Sequence, residues 1–248
     1  MSQHFSLQDR CAHSRLTPRV SPCSNSFTSS TTRSSGFAVI FVYEKKLSLS
    51  SSFERTAMPG STSPMELVRP SLYHLPEYVA ALKRGWSPDN IKGTAASIEE
   101  LAQIDKDPQA FIDQLTDREA KGPPIVLPDG SSAPRLPGYY LWLWDGEFCG
   151  SIGFRWQPGT SSLPSHVLGH IGYAVVPWKT GLGYARSALR LMLLRAREEG
   201  LAYVEITMEP ENVASRKIVE ANGGVLFERF QYPLQYGRKD GLRFRIDL

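Results

Sequence analysis

Apolar and polar positions fall into regular periods only from about Met65 onward. Glu66-Leu67-Val68-Arg69-Pro70 predicts a short strand that stops at the proline. Tyr73 to about Gly85 predicts a helix, and Ser97-Ile98-Glu99-Glu100 has the spacing of a capping box opening a second one. Asp107-Pro108 predicts a third helix start, with proline at the first helical position. Two strands follow, Gly138 to Trp144 and Glu147 to Trp156, and Asp145-Gly146 between them is a hairpin signal. Gly169 to Val176 predicts a buried strand ending at Pro177. From Gly181 to Glu199 the apolar positions Ala185, Leu189, Met192 and Ala196 recur at helical spacing, with Arg195 and Arg197 in the last turn and Gly200 as the stop. A strand over Ala202 to Met208, a helix over Asn212 to Ala221, and strands over Val225 to Tyr232 and Leu242 to Leu248 complete the series. Hairpin-joined strands around one strand-helix-strand unit predict an α+β fold with a mixed, mostly antiparallel central sheet flanked by helices.

Residues 1 to 64 carry no such period. Serine and threonine cluster at Ser29-Ser30-Thr31-Thr32, Ser34-Ser35 and Ser50-Ser51-Ser52. Too little apolar surface is present to offset chain entropy, so disorder is the simplest expectation there. An Arg-rich, Ser-rich, acid-poor start also fits a transit peptide, and Met58 and Met65 fit a start assigned too far upstream. Phe37 to Tyr43 is the apolar exception, an added strand or an exposed sticky patch. The expected organisation is an extension over 1–64 and one domain over 65–248.

Composition narrows the function. The formal net charge is +3 on 248 residues. Its basic excess sits before residue 58, where seven Lys and Arg face three acidic residues, so the expected domain is near neutral. A basic stripe for nucleic acid is not seen. Cys11, Cys23 and Cys149 give neither a disulfide framework nor a zinc spacing, so a cytoplasmic setting and no metal are expected. The apolar run at Phe37–Tyr43 is far shorter than the roughly 20 residues that span a bilayer.

Gly181 and Gly183 stand between a predicted strand and a predicted helix. Glycine there lets the backbone turn tightly and clears side chains from the first helical amides, which suits phosphate oxygens. A P-loop would need Lys-Ser/Thr after the glycine, and Tyr184-Ala185 follow instead. A dinucleotide fingerprint would need a small residue at Arg186, although Glu205 lies near the expected acidic position. A tight turn serving packing alone remains open on these residues.

The segment Thr180-Gly181-Leu182-Gly183-Tyr184-Ala185, after Gly169 to Pro177, resembles the cofactor motif of the GNAT superfamily of N-acetyltransferases. Glu211-Asn212-Val213-Ala214-Ser215-Arg216-Lys217, leading to Ala221-Asn222-Gly223-Gly224, resembles that family's Asn-x-x-Ser stretch along the pantetheine arm. The likeness spans about 65–248 and is specific from about Gly169 to Gly224. It implies acetyl-CoA as co-substrate, held by Ala174, Val175, Val176, Thr180, Gly181, Leu182, Gly183, Tyr184, Ala185, Asn212 and Ser215. The pyrophosphate lies at the start of the helix, and a main-chain N–H, that of Val175, reaches the thioester oxygen. Thr180 departs from the family's Arg or Gln, which leaves phosphate contacts to the backbone.

The reaction implied is direct transfer of acetyl to a primary amine, expected on a small molecule, in a ternary complex. The alternative is a non-catalytic CoA-binding or regulatory module. That alternative draws on two departures: Val219 occupies the place of the family's usual Tyr, and Gly169 and Ile171 stand where Glu or His is common. The candidates left for proton transfer are Tyr173, Glu205 and His170, in that order. Each also has an ordinary role: a Tyr filling the sheet face, a surface-pointing Glu, a His satisfied by backbone. Arg216 and Lys217 suit either the nucleotide phosphates or a solvated helix face. Aromatics at Tyr139, Tyr140, Trp142, Trp144, Phe154 and Trp156 are expected in the core and around the acceptor. Neither nucleic acid nor membrane is an expected partner; a homodimer is the assembly expected.

Overall fold

The computed structural model describes residues 64–89, 92–127, 130–233 and 239–248. The expectations for 1–63, including the Phe37–Tyr43 strand, lie outside the described residues.

Strand β1 (Glu66–Val68) leads into helix α1 (Leu75–Lys83), α2 (Thr94–Lys106) and α3 (Pro108–Gln114). Helix α3 starts as the sequence predicts, with Asp107 Oδ1 accepting from Ala110 N–H at 3.0 Å. The start of α2 is a correction. It begins at Thr94, so Ser97 lies inside it, and the Ser97 hydroxyl donates to the Trp86 carbonyl at 2.9 Å instead of capping. A long-range partner there outcompetes the local motif.

Three two-residue strands follow, β2 (Thr116–Asp117), β3 (Ile125–Val126) and β4 (Ser132–Ala133). They are too short to leave a period in the sequence. Then come β5 (Gly138–Trp144), β6 (Phe148–Arg155), β7 (Ile171–Val175), a 3-10 turn at Pro177–Lys179, α4 (Tyr184–Glu198), β8 (Tyr203–Met208), α5 (Val213–Glu220), β9 (Val225–Gln231) and β10 (Asp240–Asp247). These match the predicted elements to within a few residues.

One sheet runs β1-β5-β6-β7 with β2 on β5, and a second runs β8-β10-β9. Every pairing is antiparallel. Apolar alternation sends two sets of side chains to opposite faces. On one face Leu141, Ile152, Tyr173, Val204, Ile206 and Phe244 pack with Ala188, Leu189 and Met192 of α4 and Val219 of α5. On the other, Trp142, Phe148, Ala174 and Val176 pack under Leu75, Tyr78 and Leu82 of α1 and Phe111 of α3. The fold is thus the α+β arrangement of antiparallel sheet flanked by helices that the sequence predicts, with the sheet parted between β7 and β8 and no parallel pair among the described residues.

Candidate active site

The two sheets meet at one narrow place. The chain bends at His170, just before β7, and His170 N–H donates to the Glu205 carbonyl at 2.8 Å. The Glu205 N–H returns a bond to His170 Nδ1 at 2.9 Å. Gly169 makes this approach feasible, because a Cβ there would lie 3.0 Å from the Glu205 carbonyl oxygen. Among the described residues β7 and β8 are not hydrogen-bonded neighbours beyond this clasp, and β7 pairs only with β6. Val176 N–H donates to the Cys149 carbonyl on β6. Backbone groups alternate sides along a strand, so the Val175 N–H, one residue back, is directed away from β6 into the splay.

The glycine turn opens directly off that strand. Gly181 has φ +80° and Gly183 φ +77°, conformations in which a Cβ is strained. Apart from their own chain neighbours, no heavy atom lies within 4 Å of where either Cβ would stand, and residues 181–183 are exposed, so the end of α4 is not plugged. Gly183 is the N-cap, no side chain caps the helix, and no acidic residue occupies its first turn. The first amides of α4 and its dipole therefore present a site for an anion. The Thr180 hydroxyl donates to the Pro177 carbonyl at 2.8 Å, so it shapes the turn. Leu182 is exposed, whereas Ala185 is buried against the sheet.

A residue legible beforehand only as part of a hairpin turn fixes this turn. Asp145, in the β5–β6 hairpin, takes bonds from Lys179 Nζ at 3.1 and 2.8 Å and from the Tyr184 hydroxyl at 2.6 Å. Burial works to raise its carboxyl, but Lys179 and Tyr184 win and hold it below the usual carboxylate range. The Tyr184 hydroxyl is pushed up to about 12, first by its bond to that carboxylate and then by burial. The only signal in the sequence was Asp-Gly, which reads as a turn.

Helix α5 begins differently. Asn212 Oδ1 accepts from Ser215 N–H at 3.0 Å, which caps the helix. That bond assigns the other end of the amide as Nδ2, which is buried without a hydrogen-bond partner. A buried orphan donor invites an acceptor from a ligand. Ser215 Oγ meets the Tyr173 hydroxyl at 2.8 Å. Asn212, Ser215 and Tyr173 thus form one connected group across the splay.

Of the three candidates for proton transfer, His170 and Glu205 meet at the clasp, and Tyr173 lies with Ser215 instead. Tyr173 is buried, and burial, only partly offset by Ser215, raises its phenol well above its ordinary value, so it stays neutral. It can donate a hydrogen bond but is a poor base. Glu205 is not the surface-pointing residue of its ordinary reading: it is 7 % exposed, with Oε1 2.8 Å from Arg245 Nη2 and Oε2 3.6 Å from Arg243 Nη1. His170 is buried, and burial followed by the Arg155 charge lowers it to about 4, so it is neutral at pH 7. Its Nδ1 is committed to the clasp.

The aromatic side chains divide between the two faces. Tyr139, Phe154 and Trp156 belong to the core shared with α4, while Tyr140, Trp142 and Trp144 lie with the α1–α3 layer. Tyr78 stacks on Trp142 with centroids 4.6 Å apart, and its hydroxyl donates to the Glu100 carboxylate. Glu100 is raised to about 7: burial outweighs the Tyr78 bond, and Asp89 and Glu99 add to the rise. A carboxyl poised there exchanges its proton near neutrality. The local sequence marked it only as the last residue of the expected capping box, a role other than the bond to Tyr78 that it makes.

Among the described residues no group of three or more His, Cys, Asp or Glu is placed to hold a metal ion. No described helix is long and apolar enough to cross a membrane.

A family model for the acetyltransferase (GNAT) domain matches residues 94–225, more than half of the chain. The search of curated proteins gave no match. Among solved structures, the chain is similar to RimL, a ribosomal L7/L12 alpha-N-protein acetyltransferase in complex with coenzyme A. Identity is 14%, the TM-score is 0.50, and the match covers 76% of this chain and 96% of that one. It is also similar to the microcin C7 self immunity acetyltransferase MccE in complex with acetyl-CoA and AMP, at 14% identity and TM-score 0.48, over 74% of this chain and 92% of that one. A third is a putative ribosomal-protein-serine acetyltransferase from Vibrio cholerae, at 14% identity and TM-score 0.48, over 76% and 96% of the two chains. At these identities the likeness bears on the fold.

Proposed function

The chain belongs to the GNAT acetyltransferase family, and from that premise we propose that it moves acetyl from acetyl-CoA to a primary amine on a small molecule, with donor and acceptor bound together. The observation that carries the donor site is the unplugged, uncapped start of α4 beside the splayed strand β7.

In this reading the co-substrate supplies an activated thioester, and the chain's own groups do the rest. The amides of Gly181, Leu182, Gly183, Tyr184 and Ala185 and the turn at Thr180 hold the diphosphate. Asn212 Nδ2, left without a partner, donates to an amide carbonyl of the pantetheine arm, and Ser215 lines the same wall. Ala174, Val175 and Val176 bring the splayed backbone alongside the thioester. The Val175 N–H polarises the carbonyl as negative charge grows on its oxygen.

Proton transfer falls to fewer groups than the sequence suggested. Tyr173, neutral and hydrogen-bonded to Ser215, serves as donor toward the leaving thiolate. Glu205 and His170 are better suited to holding the splay than to exchanging protons, since the Glu205 carboxylate faces Arg245 and Arg243, and His170, buried and neutral, gives its Nδ1 to the Glu205 amide. The amine loses its proton to water or to a base on the acceptor side.

A small acceptor is favoured because the α1–α3 layer packs directly on Ala174 and Val176, covering the front of β7. The test is release of free CoA thiol across a panel of small amines, with peptide α-amines as competitors. Release with small amines supports the reading. Release with peptides alone would overturn the acceptor class, and no rise in melting temperature with acetyl-CoA would overturn the donor site. Tyr173→Phe is expected to lower kcat with KM for acetyl-CoA unchanged; an unaltered kcat would remove Tyr173 from the chemistry.

A further inference from the structure

The glycine turn has little of its own to hold its shape. Two residues sit at positive φ, open space surrounds both, and no side chain caps the helix that follows. Glycine gives up more backbone freedom on ordering than any other residue, so such a turn would sample many shapes if left alone. Yet anion binding by main-chain amides requires those amides to converge before the ligand arrives.

The residues that flank the turn are both tied to one carboxylate. Lys179, just before it, is bonded through Nζ to both oxygens of Asp145, 34 residues away in sequence. Tyr184, just after it, is bonded through its hydroxyl to Asp145 Oδ2, 39 residues away. The Asp145 side chain is 6 % exposed and that of Lys179 18 %. Both bonds are charge-assisted and shielded from water, which makes them stronger than neutral surface contacts. Lys179 also lies 3.6 Å from Glu147, so its charge is answered within the hairpin. The hairpin joins two central strands, so the turn is fastened to the sheet.

We propose that Asp145 is a positioning residue for the diphosphate: it pins both ends of the Gly181–Gly183 turn to the β5–β6 hairpin and so aligns the amides of α4. This rests on the donor site proposed above. Asp145 touches no reacting atom and acts through Lys179 and Tyr184.

The experiment compares two ligands by calorimetry, CoA and pantetheine, which lacks the diphosphate. Asp145→Asn is expected to weaken CoA roughly tenfold while pantetheine binding holds, so that the ratio of the two affinities falls. Loss of both ligands together, or of neither, would overturn the proposal, because general loosening of the fold does not discriminate between them. Tyr184→Phe keeps the ring in place and removes one of the three bonds; it is expected to show the same selective loss, smaller in size, and it decides the matter if Asp145→Asn does not fold. A wild-type protein that binds CoA no tighter than pantetheine would instead strike the donor site itself, whatever Asp145 does.

Discussion

Helices α4 and α5 both leave the C-terminal end of a strand, yet their first turns are finished in opposite ways. In α5 the orphan amides find a local partner in Asn212 Oδ1, as in α3 they find Asp107. In α4 a glycine at positive φ stands at the N-cap and no side chain serves the amides. A missing cap costs about 1 kcal/mol. Helices α1 and α2 also start without a side-chain cap, α2 likewise from a glycine at positive φ, so what sets α4 apart is its place beside the splayed strand β7. An open helix end at the mouth of a splayed strand is a stronger sign of an anion site than glycine spacing or a missing cap alone.

The contrast can be broken most forcefully at Gly183. Gly183→Asp places a fixed negative charge against the diphosphate in a conformation that Asp tolerates better than most residues. Acetyl-CoA affinity is expected to fall by more than about a hundredfold with the fold retained; unchanged affinity in a calorimetric titration would refute the phosphate site. The closed end of the splay offers the next effect. His170 binds its proton far less readily in the fold than in the unfolded chain, so its contribution to stability is complete above about pH 6.5. That contribution is lost as pH falls toward the folded value of about 4, a change on the order of 3 kcal/mol. Glu100, raised to about 7, works in the other sense, contributing below the ordinary carboxylate range and fading as pH rises through 7. Denaturation of Glu100→Gln across pH 4 to 8 isolates the His170 slope; a flat acid limb would show that His170 is not buried neutral.

Asn212→Asp separates the two duties of one side chain. Asp caps a helix as well as Asn does, but it has no N–H to replace Nδ2. Melting temperature is expected to hold while KM for acetyl-CoA rises about tenfold. A KM that stays put would leave the orphan donor without a ligand. Asp107→Ala should have the smallest effect, a loss of about 1 kcal/mol or roughly 2–4 °C, with acetyl-CoA affinity untouched. A change in that affinity would mean that the closed ends matter to the site after all.

What could be read in advance follows the physics of each feature. The glycine turn was legible because backbone chemistry leaves its mark on composition: only glycine clears the space that the amides need. The buried face of α4 was legible because its apolar positions recur three or four residues apart. The Asp145 fastening was not, since Lys179 and Tyr184 are brought to it only by the packing of α4 on the hairpin. Glu205 read as a solvated residue because the arginines that neutralise it come from β10, 38 and 40 positions on. Ser97 misled for the same reason, its true partner being the Trp86 carbonyl.

Cys149 gives the geometry a chemical consequence. Its thiol is fully enclosed, and burial, with the Asp145 carboxylate adding to it, pushes it up to about 12. The reaction proposed here liberates a free sulfhydryl product within the same fold. A thiolate at position 149 would be prone to couple with that product under oxidising conditions and jam the enzyme. Kept protonated and walled off, Cys149 is a poor nucleophile toward peroxide or a disulfide.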